Sequence, residues 1–187
     1  DMPITLGCIA DDFTGATDLA NMLVKGGLKT IQLLGTPRES DVVPSVDAVI
    51  IALKTRTIPV EEAIEQSLRA LNWLKSAGAE KFFFKYCSTF DSTDDGNIGP
   101  VIDALMADLE TPFTIACPAF PETERTIFKG HLFVGDKLLS DSPMKYHPLT
   151  PMTDSNLVST LSRQTSQKVG LVQYTDILGG PSEIRKA

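Results

Sequence analysis

The sequence predicts an α/β fold: a doubly wound, mostly parallel sheet with flanking helices and a small β-hairpin insertion. Short unbroken apolar runs alternate with amphipathic segments of helical period, which is typical of parallel strands covered by helices on both faces. Glycine or proline marks the ends of the first two helices. The 187 residues, 42% of them hydrophobic and 22% charged, suffice for one core or one and a half domains.

The first half of the chain supplies most of the predicted sheet. Apolar residues recur at helical spacing between positions 16 and 24, and Gly26-Gly27 ends that helix. Pro59 opens a longer helix that continues to about Ala77. A third helix is predicted at 98–109. Buried strands are predicted at 5–10, 30–34, 48–53, 81–86 and 113–117.

After Pro118 the alternation of predicted strands and helices stops. Residues 126–139 predict a small antiparallel hairpin with its turn near Gly135-Asp136, inside an insertion at about 121–153 whose remainder is a proline-rich irregular loop. A helix at 157–161 and a sixth strand at 169–174 follow. The chain ends inside a last predicted helix, so we expect the natural protein to continue.

Charge, hydropathy, and the spacing of cysteines and histidines limit the kinds of partner, cofactor and location that we expect. The net charge of −7 argues against nucleic acid or an anionic membrane surface. No stretch approaches the roughly 18 apolar residues of a membrane span, and the start has no basic region of a signal peptide. Cys8, Cys87 and Cys117 have no CxxC spacing, which favours reduced thiols in a cytoplasmic protein. No two histidines have metal-ligand spacing, so no metal site is predicted.

Polar side chains follow three of the predicted strands. Ligands of doubly wound sheets bind beyond the carboxyl ends of the strands. The run Asp11-Asp12-Phe13-Thr14-Gly15 offers carboxylates to sugar hydroxyls and helix-start amides to an anion. Lys54-Thr55-Arg56 offers a guanidinium that can bind a carboxylate bidentately. The segment 85–97 adds a cation, several hydroxyls and three acids.

Each of these features also has a purely structural interpretation. Thr14 can be an N-cap, and Asp94-Asp95 can compensate a helix dipole. Lys54 and Arg56 can be solvated charges at a strand end. The chain contains no GxxxxGK[ST] loop, no GxGxxG and no protein-kinase signature, so ATP contacts of those kinds are absent from it.

Three segments carry a resemblance to a known family. Residues 9–18, IADDFTGATD, and 85–93, KYCSTFDST, resemble the two signature segments of the four-carbon acid sugar kinases. Residues 141–155, DSPMKYHPLTPMTDS, resemble a loop of the 3-oxo-tetronate kinase branch of that family. The three segments occur in the family's order, and the resemblance covers nearly the whole chain.

The resemblance implies that 1–187 is an N-terminal acid-sugar-binding domain, while a C-terminal ATP-binding domain is absent from this chain. The implied reaction transfers the γ-phosphoryl group of ATP, with Mg²⁺, to the terminal hydroxyl of 3-oxo-tetronate, threonate or erythronate. ATP and Mg²⁺ are expected mainly through the missing domain, so we expect this fragment alone to be inactive. The expected partners are the sugar acid and ATP, with a homo-oligomer left open.

Asp12 is the expected carboxylate that orients the attacking hydroxyl, with Asp11 as the alternative. The residues expected to bind the substrate are Thr14, Gly15, Arg56, Lys85, Ser88, Thr89, Asp91 and Ser92. Two other functions are considered: a haloacid-dehalogenase-like phosphatase, whose D-x-D-x-T loop would need an aspartate at Ala10, and a non-catalytic sugar-acid-binding module.

Overall fold

A computed structural model describes residues 4–38, 40–41, 44–90 and 93–187. The described residues form two compact units. The first unit draws on 1–87 and 100–114, and the second on 88–99 and 115–187.

A four-stranded parallel sheet organises the first unit. Its strands are β1 (Leu6–Ala10), β2 (Thr30–Leu34), β3 (Ala48–Ala52) and β4 (Lys81–Lys85), in the order β2-β3-β1-β4. Every neighbouring pair is parallel, and Ala10, Ala52 and Lys85 lie in register at the carboxyl end. This sheet confirms the predicted fold class, and its four strands match the predicted runs to within one residue at each end.

Helices cover both faces of this sheet, as the continuous apolar strands require. The helices are α1 (Phe13–Lys25), α2 (Val60–Ser76) and α3 (Ile98–Asp108). Cys8 and Ile50 point to the face covered by α1, where Ala16 packs against them. Ile9 and Ile51 point to the opposite face and pack with Leu71 of α2. Burying one such aliphatic side chain contributes about 1.5–3 kcal/mol, so the two faces together stabilise the sheet.

The second unit contains a three-stranded antiparallel meander rather than the predicted single hairpin. Its strands are β5 (Arg125–Phe128), β6 (His131–Val134) and β7 (Lys137–Leu138). The turn at Gly135 was predicted, whereas the turn at Lys129-Gly130 was missed. Both residues of the missed turn have positive φ, 50° and 77°, as a two-residue hairpin turn of type I′ requires. Lysine is uncommon at the first of these positions, so local composition does not indicate that turn.

Short helices complete the second unit. They are α4 (Leu157–Gln164), α5 (Tyr174–Leu178) and α6 (Pro181–Ile184), with 3-10 turns at Pro121–Thr123, Leu139–Asp141 and Pro143–Tyr146. The predicted helix at 157–161 is confirmed and extends three residues further. Among the described residues, no helix combines the length and apolar character needed to span a membrane.

The predicted strands at 113–117 and 169–174 are wrong. Neither segment belongs to a sheet, and Tyr174 instead begins α5. Phe113 and Ile115 are 72% and 78% exposed, so their apolar side chains meet no covering layer. A β-prone run becomes a strand only where a neighbouring edge takes up its backbone hydrogen bonds, which local composition cannot reveal.

Candidate functional site

The candidate site lies at the carboxyl ends of β1, β3 and β4. The hydrogen-bond ladder continues one step beyond the strands and fixes the backbone of Asp11 on both sides. The Asp11 amide donates to the Lys85 carbonyl at 3.0 Å, and the Thr55 amide donates to the Asp11 carbonyl at 3.0 Å. Asp11 is only 3% exposed, so a buried carboxylate marks the centre of this edge.

Arg56 neutralises that buried carboxylate. Its Nε donates to Asp11 Oδ2 at 3.1 Å, and its Nη2 donates to Asp11 Oδ1 at 2.9 Å. The same Nη2 lies 3.0 Å from Asp12 Oδ1. A guanidinium held bidentately is fixed in orientation, and a buried carboxylate without such a partner would be costly. Both acids therefore contact one cation, although neighbouring side chains alternate in direction along an extended backbone.

Asp12 also caps α1. Its backbone is extended, and its Oδ1 accepts a hydrogen bond from the Gly15 amide at 2.7 Å. This arrangement satisfies one of the amides that a helix start leaves without a partner. Thr14 lies inside the first turn and is exposed, so it is not the cap. The N-cap role that the sequence suggests for Thr14 is thus performed by Asp12.

Gly15 keeps the space beside these charges open. A Cβ at this position would lie 2.7 Å from Asp12 Oδ1 and 3.3 Å from Lys85 Nζ. The first distance is shorter than real Cβ contacts allow, so a larger residue would displace the Asp12 carboxylate. The Lys85 ammonium therefore lies next to the first turn of α1, where it donates to the Tyr86 carbonyl. Arg56 therefore contacts Asp12, and Lys85 lies beside Gly15 in the helix turn that Asp12 caps.

The other residues expected to bind the substrate are not among these contacts. Ser88 and Thr89 belong to the second unit, where Ser88 is half-buried and Thr89 is buried. Asp91 and Ser92 lie outside the described residues. Lys54 is exposed, and its Nζ stands 4.9 Å from the centre of the Phe13 ring. The structure thus brings together Asp11, Asp12, Gly15, Arg56 and Lys85.

A second polar cluster, which the sequence did not reveal, lies in the second unit. Arg163 of α4 bridges Asp94 and Asp154, with Nε–Oδ1 at 2.5 Å and Nη2–Oδ2 at 3.0 Å. Hydrogen bonds to Asp94 and Asp154 raise the pKa of Arg163. Burial works to raise the pKa of Asp154, but hydrogen bonds from the Asn156 amide and the side chains of Arg163 and Ser159 outweigh it and lower that pKa. Asp94 is 69 positions from Arg163 and Asp154 is nine positions from it, so no short sequence motif contains the three residues.

The acidic and metal-ligating side chains of the described residues are scattered or already engaged with cations. Within the part of the chain that the structure describes, no group of three or more His, Cys, Asp or Glu residues is arranged to hold a metal ion. Asp11 and Asp12 are two carboxylates already sharing a guanidinium. The described residues therefore do not form a metal site by themselves.

Comparison with known proteins identifies the family. A model described as a sugar-binding N-terminal domain matches residues 6–187. The chain belongs to this family. As a sugar-binding N-terminal domain, it is 63% identical over 180 residues to a Burkholderia multivorans protein named 3-oxo-tetronate kinase, covering 96% of this chain and 42% of that protein. It is 56% identical over 181 residues to a protein of the same name from Haemophilus influenzae, covering 97% of this chain and 44% of that one. The resemblance to acid sugar kinases is confirmed.

Solved structures agree with this assignment of the sugar-binding N-terminal domain. A crystal structure of a Haemophilus influenzae DUF1537 protein superposes with a TM-score of 0.92 at 56% identity, covering 96% of this chain and 43% of that one. A DUF1537 structure from Bordetella bronchiseptica, described as a domain-swapped dimer with bound citrate, gives 0.72 at 29% identity, covering 84% and 39%. The chain thus spans less than half the length of the relatives that it matches.

Proposed function

We propose that this chain is the sugar-acid-binding part of an ATP-dependent kinase that phosphorylates the terminal hydroxyl of a four-carbon acid sugar, such as 3-oxo-tetronate, threonate or erythronate. The observation that carries the proposal is the paired carboxylates and cations at the carboxyl ends of β1, β3 and β4, in a chain whose relatives are named 3-oxo-tetronate kinase. A polyhydroxylated acid needs both kinds of partner, acceptors for its hydroxyls and a cation for its carboxylate.

Arg56 or Lys85 binds the substrate carboxylate in this proposal. Both lie beside the start of α1, whose backbone amides and dipole add positive potential. Arg56 is held in place by Asp11, so its orientation is set before a ligand arrives. Preorganised charges of this kind lose little freedom on binding. Thr14, Ser88, Thr89, Asp91 and Ser92 stay predictions as further substrate-binding residues.

Asp12 orients the attacking hydroxyl. Its side chain is 28% exposed, whereas that of Asp11 is 4% exposed, so Asp12 is the carboxylate that a ligand reaches more readily. The Arg56 guanidinium and the Gly15 amide hold Asp12 Oδ1 in position. Phosphoryl transfer depends chiefly on positioning and charge neutralisation, which a fixed carboxylate can serve without full proton abstraction. Asp11 then holds Arg56.

ATP and Mg²⁺ are assigned to regions of the relatives that this chain does not cover. The described residues offer neither a metal-binding cluster nor a known phosphate-binding loop. A phosphatase of the haloacid dehalogenase type is disfavoured because Ala10, fully buried in β1, stands where its nucleophilic aspartate would be. Cytoplasmic location is part of the proposal, since all three cysteines are thiols. Self-association stays open.

A phosphoryl-transfer assay tests this function. The natural full-length protein should convert ATP and a four-carbon sugar acid to ADP and a sugar-acid phosphate, followed by ³¹P NMR. The 187-residue chain alone should give no steady transfer. Full-length protein that phosphorylates none of 3-oxo-tetronate, threonate and erythronate would contradict the proposal, and so would steady transfer by the short chain alone.

A further inference from the structure

We propose that one face of α5 is a docking surface for the part of the natural full-length protein that this chain does not cover. Tyr174, Ile177 and Leu178 form this face, which we call the α5 face. It lies within the second unit. Its covering does not depend on which acid the full-length protein phosphorylates.

Three apolar side chains on one side of α5 are open to solvent. Tyr174, Ile177 and Leu178 are 58%, 55% and 68% exposed. Spacings of three and four positions place them on the same face of the helix. Single exposed apolar residues are common on protein surfaces, whereas apolar side chains grouped on one face mark interaction sites. Within the part of the chain that the structure describes, the α5 face is therefore not covered.

The helix itself is too short to be stable through its own hydrogen bonds. Isolated helices shorter than about 12–15 residues are marginal in water, so short helices depend on packing of their apolar face. α5 has five residues. Its start is well defined, because the Asp176 carboxylate accepts a hydrogen bond from the Gln173 amide at 2.7 Å. The sequence thus specifies a helix here, and the described residues leave its apolar face without the packing that such a helix needs.

The residues on either side of α5 are held in place. A Cβ at Gly130 would lie 3.4 Å from both Cδ atoms of Leu171, so the segment before α5 packs on the turn between β5 and β6. A Cβ at Gly179 would lie 2.6 Å from Glu183 Cγ, so α5 ends directly against α6. Gly180, between the two helices, has a φ of 82°, which favours glycine. The α5 face is therefore preformed, and covering it costs little ordering.

The rest of the same polypeptide is the occupant that we assign to this face. The matching family model is described as an N-terminal domain, and the chain covers only 42% of the Burkholderia multivorans relative. The uncovered region of the relatives therefore follows this domain. Within the chain, α6 is the one helix or strand between α5 and Ala187. A region joined there meets the α5 face at high effective concentration, without the entropy loss of bringing two molecules together.

The chemistry of the α5 face defines the matching surface. One aromatic ring and two aliphatic side chains gain by contact with apolar groups, and a charge placed against them would lose its water. The Tyr174 hydroxyl needs a hydrogen-bond partner once it is covered. A second copy of this chain is a poorer occupant, because each copy carries a net charge of −7 and the two would repel.

Cysteine labelling of the natural full-length protein tests this docking surface. Ile177→Cys and Leu178→Cys each place a thiol on the α5 face. Asp136→Cys is the matched control, since Asp136 is exposed in the turn between β6 and β7 of the same unit. Each variant is treated with a maleimide, in native buffer and in urea, at a high and a low protein concentration. Mass spectrometry follows the labelling of the peptide that carries the new thiol.

In the native protein, we expect the thiols at 177 and 178 to react at least about tenfold more slowly than the thiol at 136, because a covered thiol reacts only when the contact opens. All three should react at similar rates in urea. Native rates at 177 and 178 that equal the control rate would overturn the docking surface. Protection that disappears on dilution would assign the face to a second copy and overturn the occupant proposed here.

Hydroxyl-radical labelling of Tyr174 in the wild-type protein gives the same decision without a substitution, should the cysteine variants fail to fold. Slow native labelling of Tyr174 relative to the urea-unfolded protein supports the docking surface, and equal labelling overturns it. Neither readout requires kinase activity. A full-length protein that phosphorylates no sugar acid would therefore contradict the proposed function and leave this docking surface standing.

Discussion

Asp12 has a structural role at the start of α1, and the effect of losing that role must be separated from any effect on catalysis. It caps α1 through Gly15 and also contacts Arg56, whereas Asp11 is buried behind the same guanidinium. Removing the carboxylate can therefore affect stability, charge balance and catalysis at once. Variants that keep the cap but change the charge separate these effects, because Asn and Ser cap helices about as well as Asp does.

Asp12→Asn and Asp12→Ser in the full-length protein should lower kcat about 100-fold or more at nearly unchanged Tm, because the orienting carboxylate is lost while the cap remains. Asp12→Ala should also lose about 0.5–2 kcal/mol of unfolding free energy. The measurement is steady-state kinetics beside thermal unfolding. Near-normal kcat in Asp12→Asn, with a lowered Tm, would leave Asp12 as a cap and return the catalytic role to Asp11.

Lys85→Ala and Arg56→Ala should raise KM for the sugar acid in at least one case by about 10- to 150-fold, the loss of a charge-assisted contact of about 1.5–3 kcal/mol. Arg56→Ala also leaves Asp11 buried without this partner, so its Tm should fall. Lys54→Ala is the control, since Lys54 is exposed and stands over Phe13. If neither KM nor kcat/KM changes in both test variants, these cations do not bind the substrate.

Individual elements differ in how far sequence alone determines them. The strands β1 to β4 and the helices between them were predictable, because each combines an apolar run with clear end signals and finds its partners nearby. The strands expected at 113–117 and 169–174 failed because pairing depends on neighbours that composition does not specify. At the strand ends, Asp11, Asp12, Arg56 and Lys85 lie near one another, as the strand-end rule predicts, and their part in binding stays a prediction. The contact of Arg163 with Asp94 was not predicted, since the two residues are 69 positions apart.

The connection between Asp154 and α4 should depend on pH. Hydrogen bonds and the Arg163 charge lower the pKa of Asp154 in the folded state, so its contribution is complete above the unfolded pKa near 4 and is lost as pH falls through the folded value. Asp154→Asn should therefore lower Tm at pH 6 by at most roughly 2–4 °C, and by less at pH 3. Asp95→Asn, at an exposed neighbour of Asp94, is the control. A wild-type advantage that grows on acidification would contradict the sign.

At the scale of the whole molecule, the chain combines a complete α/β layer with a smaller antiparallel unit, and it matches less than half the length of its relatives. The parallel layer carries the paired charges, and the second unit carries the cluster of Arg163 with Asp94 and Asp154. In the proposed function, this chain binds the sugar acid, and the regions of the relatives that it does not cover bind ATP. Binding and turnover should therefore be separable.

Isothermal titration of the folded 187-residue chain with threonate, erythronate and 3-oxo-tetronate tests the central claim most directly. The account predicts saturable binding of at least one of these acids at one site per chain. It also predicts that Lys85→Ala or Arg56→Ala weakens that binding at least about tenfold, while Lys54→Ala leaves it unchanged. A folded wild-type chain that binds none of the three acids, or binding that survives both test substitutions unchanged, would contradict it.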